Sequence, residues 1–126
     1  MTALVPTQLP PLDTRFSLGP EITPVQQAFF DAYGFLVFDQ VASPDEVEMI
    51  AGELEAIQEQ WLAEGRTKVN GIPLFVGSDP DGEPFISRFA FTSMFSDKLR
   101  AFVLDERFEP IRKMVGEDAR VGHDEK

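Results

Sequence analysis

The chain has 126 residues, 43% of them hydrophobic and 12 of them Phe, so it is one domain or part of one with a core to bury. Its formal net charge is −11, from 22 acidic and 11 basic residues, which excludes the phosphate-neutralising surface of a nucleic-acid binder and docking on anionic membranes. It has no cysteine, hence no disulfide framework and no thiolate chemistry. No apolar run approaches the roughly 20 residues of a membrane span, and the N-terminus has no basic region leading into an apolar core. The expectation is a cytoplasmic protein.

Residues 1–20 carry Pro6, Pro10, Pro11 and Pro20 and few periodic apolar positions, so they are expected to form an extended arm. The domain proper is expected over 21–126. Thr23 is placed to cap a helix with Pro24 in its first turn, where a missing N–H does no harm. Gly34 is placed to stop that helix in the left-handed conformation. Phe35-Leu36-Val37-Phe38 is a continuous apolar run, too short for a helix and suited to a buried strand. Ser43, Pro44 and Glu46 then supply the cap, first turn and capping-box partner of a second helix.

That second helix is expected from Pro44 to Glu64. Val47, Ile50, Leu54, Ile57 and Trp61 recur at spacings of three and four and make one apolar stripe. Glu46, Glu48, Glu53, Glu55 and Glu59 fall on the remaining surface, where they solvate the helix rather than hold a metal. Gly65 follows. Ile72–Val76 and Phe85–Phe91 are apolar and aromatic, as strands are, and the turn formers between them predict a hairpin with a long loop. Asp79, Asp81 and Gly82 in that loop fit turn chemistry, because the later ligands of a calcium loop are missing. Two short helices follow. The first starts at Ser96 or Asp97 and buries Leu99, Phe102 and Val103. The second starts at Asp105 or Glu109-Pro110 and buries Ile111, Met114 and Val115. Residues 119–126 predict a further strand.

Chemistry-bearing residues are few. The single His lies four positions from the end, there is no Gly-x-Ser-x-Gly turn, and no glycine-rich phosphate loop occurs. On an extended strand His123 and Glu125 share one face, with Asp124 and Lys126 on the other. A His-x-carboxylate pair of this kind begins the two-His, one-carboxylate iron triad, but the triad needs a second His and this sequence has one. The alternative is a polar strand end facing a cavity or solvent.

The order Gln27-x-Phe29-x-x-x-x-Gly34-Phe35-Leu36-Val37, then Ser43-Pro44-Asp45-Glu46-Val47, resembles the opening of the phytanoyl-CoA dioxygenase family. So do Ile86-Ser87-Arg88, Phe95-Ser96-Asp97-Lys98-Leu99, Leu104-Asp105-Glu106-Arg107-Phe108 and Val115-Gly116-Glu117-Asp118-Ala119. The resemblance spans roughly residues 23–126, and order and spacing carry it. It implies a non-haem Fe(II)/2-oxoglutarate oxygenase that hydroxylates, or sometimes halogenates, a small-molecule or acyl substrate. The implied fold class is α+β, with helices packed on the first strands of a double-stranded β-helix. In the family a His-x-Asp pair and a distal His hold iron, and an Arg binds the 2-oxoglutarate carboxylate. The sequence departs from this, because the family's His-x-Asp falls one strand beyond Lys126. No metal ligand is therefore carried over. A cavity wall is: the strand with Arg88, and the strand with His123, Asp124 and Lys126. There Lys126 would meet an oxoglutarate or substrate carboxylate, or else form a surface salt bridge.

Two functions are expected from this. One is the N-terminal part of such an oxygenase, inactive alone and binding neither Fe(II) nor 2-oxoglutarate by itself. The other is a small acidic α+β binding protein without catalysis. About four of the eight or so strands of a closed β-helix are present, and open strand edges invite association.

Overall fold

A computed structural model describes residues 8–120. The described residues form an α+β arrangement of four α-helices and three separate two-stranded sheets, none of them closed. The chain divides into two compact units. One carries the described residues up to Ser43 together with Glu106–Ala119, and the other is built on Pro44–Asp105.

In the first unit, β1 (Phe16–Ser17) pairs in parallel with β2 (Phe38–Asp39). The helix α1 (Pro24–Tyr33) starts at a capping box: the Thr23 hydroxyl accepts the Gln26 N–H, and the Gln26 side chain accepts the Thr23 N–H. Gly34 ends it at φ +80°, in the left-handed region that costs glycine least. Phe29 is fully buried, and Phe16, Tyr33 and Phe35 meet its ring edge-on at 4.8–5.5 Å. The expected strand over Phe35–Phe38 is corrected here. Only Phe38 and the following Asp39 are strand, and Phe35 and Val37 are about 40% exposed. Phe35 packs against Phe29 and does not extend the ladder. The expected arm also contributes a strand, β1.

The helix α4 (Glu109–Val115) follows a short 3-10 turn at Glu106–Phe108 and has Pro110 in its first turn. Ile111 and Met114 are half-buried, but Val115 is 82% exposed, against the expectation that all three are core.

In the second unit, α2 (Pro44–Glu64) lays Ile57 and Trp61 into a core shared with Val69, Leu74, Ile86, Phe89 and Leu99. Met49, Ile50 and Leu54 pack against that core, while Val47 at the helix start stays exposed. Glu53 is not simply solvated: it accepts the Ser96 hydroxyl at 3.1 Å and lies 3.7 Å from Lys98 Nζ. Ser96 in turn caps α3 (Asp97–Val103), as its position before Asp97 and Leu99 predicts.

The predicted strand over Ile72–Val76 splits at Leu74. Its first part, β4 (Ile72–Pro73), turns back on β3 (Lys68–Val69) through Asn70 and Gly71, both at positive φ. Asn-Gly is the pair that a two-residue hairpin turn prefers. Its second part belongs to β5 (Phe75–Ser78), which pairs with β6 (Pro84–Arg88). The loop between them is turn chemistry: Asp79 Oδ1 accepts the N–H groups of Asp81 and Glu83, and Gly82 sits at φ +85°. Ala119 and Arg120 are not in a strand, and the rest of the strand expected to Lys126 lies outside the described residues.

Candidate functional site

The described chemistry gathers in the first unit, where β2 runs out. A polar cleft of about 170 Å³ is lined by Ser17, Leu18, Asp39, Gln40, Val41 and Arg107. Two short strands and the 3-10 turn build it. The β1–β2 pair brings Ser17 beside Asp39. Asp39 is held by Arg15, whose Nε donates to Oδ1 at 2.6 Å. Gln40 follows at φ +55°, a left-handed conformation that a side chain adopts at a cost of about 1–2 kcal/mol. Arg107, half-buried on the 3-10 turn, donates from Nη1 to the Val41 carbonyl at 2.7 Å. The cleft therefore has one anchored cation, one carboxylate neutralised by its neighbour, and a strained residue between them. Strain of this kind concentrates at functional sites and must be fixed by its surroundings.

Arg88 lies elsewhere, at the end of β6 in the second unit. It is half-buried, with its guanidinium 5.9 Å over the ring of the exposed Phe75. It is not among the cleft residues. His123, Asp124 and Lys126, the second strand of the expected cavity wall, lie outside the described residues. Arg107, Asp39 and Gln40 were not singled out as site residues by the sequence. Arg107 had a signal, because it stands in the Asp105-Glu106-Arg107-Phe108 run. Gln40 had none, because nothing in its type predicts a positive φ.

Among the described residues no three His, Cys, Asp or Glu side chains are grouped to hold a metal ion. The donor set of the whole sequence is also insufficient for the triad, since one imidazole supplies one of its two His ligands. No step through iron is derived from this chain. No helix among the described residues is long and apolar enough to cross a membrane.

Comparison of the chain with family models, with curated proteins and with solved structures gives no match.

Proposed function

We propose that residues 21–126 form the first part of an oxygenase domain of the phytanoyl-CoA dioxygenase kind. Its helices would pack on the opening strands of a double-stranded β-helix, and its substrate would be a small or acyl molecule. The iron and 2-oxoglutarate chemistry of such a domain lies outside this chain's own residues. One observation carries the reading. The two stretches of the resemblance around Gly34–Val47 and Leu104–Phe108 are some sixty residues apart in sequence, yet they are bonded, Arg107 to the Val41 carbonyl. A motif whose Arg holds the main chain just after β2 has a structural reason to keep its spacing from that point.

The DNA after the Lys126 codon tests the proposal. A continuing frame that encodes His-x-Asp and a later His supports it, and an immediate stop codon overturns it. The chain itself, given Fe(II) and 2-oxoglutarate, is expected to release no succinate. Turnover would show that the chemistry is not elsewhere.

A second reading, a non-catalytic interaction protein, is favoured by the exposed apolar residues of β5, where Phe75 and Val76 are each more than half exposed. A sharp monomer or a discrete hetero-complex on size exclusion supports it, and aggregation counts against it.

A further inference from the structure

The β5–β6 hairpin has two outer edges, and they are treated differently. On the β6 side, the Ile86 N–H donates to the Gln58 side chain of α2 at 2.8 Å. That N–H therefore points away from β5, which makes Val76–Ile86 a pair that exchanges no ladder bonds. Alternation then fixes the rest. Gly77–Phe85 is a bonded pair and Ser78–Pro84 is not, which suits a proline that has no N–H to give. The Asp79 N–H to Glu83 carbonyl bond, at 2.9 Å, continues the same alternation.

The consequence falls on β5. The N–H and C=O groups of Val76 and of Ser78 point outward, away from β6, and among the described residues β5 pairs with β6 alone. This edge has none of the usual defences: Phe75-Val76-Gly77-Ser78 contains no charge and no proline. Phe75 is 53% exposed and Val76 54%.

The charges flanking the edge are arranged end to end. Beside Phe75, on β6, is its register partner Arg88, and beyond Phe75 along the chain is Pro73, whose register partner is Lys68. Beyond Ser78 lie Asp79, Asp81 and Glu83 in the turn. An antiparallel partner with the same sequence reverses this order. It sets acidic turn against basic end at both extremities.

We propose that two copies of this chain associate by antiparallel pairing of β5 with β5, on a two-fold axis through Gly77. In that register Val76 of each copy faces Ser78 of the other, and both residues exchange their outward N–H and C=O groups, four hydrogen bonds in all. Gly77 meets Gly77 at the axis, where backbones come closest and a side chain is least tolerated. The pairing is isologous, so it closes at two copies and builds no filament. It does not depend on the oxygenase reading.

Sedimentation of the full chain over a range of concentrations tests this. A reversible monomer–dimer equilibrium is expected, and a monomer at every concentration overturns the proposal. Val76→Pro removes an outward N–H and leaves the β6 ladder bonds in place, so a loss of dimer of roughly tenfold or more is expected. A dimer indifferent to it places the interface elsewhere. A charge exchange stands independently of that variant. K68E alone and D81K/E83K alone should each dimerise more weakly than the parent, while an equimolar mixture recovers a heterodimer. No recovery overturns the pairing. Slow hydrogen exchange at the Val76 and Ser78 amides of a monomer would assign the edge to another segment of the same chain, and so overturn it too.

Discussion

Gln26 is 96% buried and uses both ends of its amide. The oxygen accepts the Thr23 N–H, and Nε2 donates to the Ser17 carbonyl at 3.1 Å, tying α1 to β1. A glutamate would serve the capping box equally well. Gln26→Glu therefore isolates the second bond, since it sets a carboxylate oxygen against a carbonyl oxygen. The expected cost at neutral pH is about 2 kcal/mol of stability, read by denaturant unfolding. The introduced carboxyl is destabilised when charged, so its folded pKa lies above its unfolded one. The penalty is full above the folded pKa and eases as pH falls through it, because the protonated group can donate to Ser17. Gln40 gives the opposite sign. Gln40→Gly relieves a left-handed side chain at the cost of backbone entropy, and a gain of about 0.5–1 kcal/mol is expected by thermal unfolding. Arg107→Met keeps much of the stem but leaves the Val41 carbonyl unpaid by its donor, and a loss of about 1.5–3 kcal/mol is expected.

At the scale of elements, α4 shows how acid should act. Arg112 reaches Glu109 through Nε and Nη2 and also contacts the Glu117 carbonyl. The Arg112 hydrogen bond, aided by the Arg112 and Lys113 charges and opposed by desolvation, holds the Glu109 carboxyl below the usual carboxylate value. A lowered folded pKa contributes stability above the unfolded value, and loses it as pH falls through the folded one. Helicity of α4, followed by NMR shifts, is therefore expected to fall in acid, and Glu109→Gln should flatten that dependence and lower the helicity at neutral pH. Helices were the legible part of this sequence because their signals are local: Thr23, Gly34 and Ser96 act within one turn of themselves. Strands were not, because β1 finds β2 across 22 residues and no short pattern in Phe16-Ser17 announces it. Asn70-Gly71 is a local signal of the β3–β4 turn, but the break at Leu74, inside the predicted strand, has none. The cleft was only half legible for the same reason: the Arg107 motif is visible in sequence, but its acceptor is a main-chain carbonyl 66 residues away.

At the scale of the whole molecule the formal charge of −11 dominates. Among the described residues, the ion pairs at Asp39, Glu53, Glu64 and Glu109 are mostly exposed and worth little individually. Repulsion among the excess acids acts over longer distances than a contact pair does, and the Debye length at physiological ionic strength is about 8 Å. Close pairs such as Arg15–Asp39, at 2.6 Å, lie well inside it. Added salt therefore screens repulsion first and attraction last. Folding stability is expected to rise from low ionic strength to about 0.15 M sodium chloride, by on the order of 1 kcal/mol, in chemical denaturation with urea, which adds no charge of its own. Sodium sulfate would raise stability by surface exclusion as well, so the chloride series is the one that isolates screening. A stability that falls over the chloride range would mean that specific ion pairs, and not the net charge, govern this protein's response to salt.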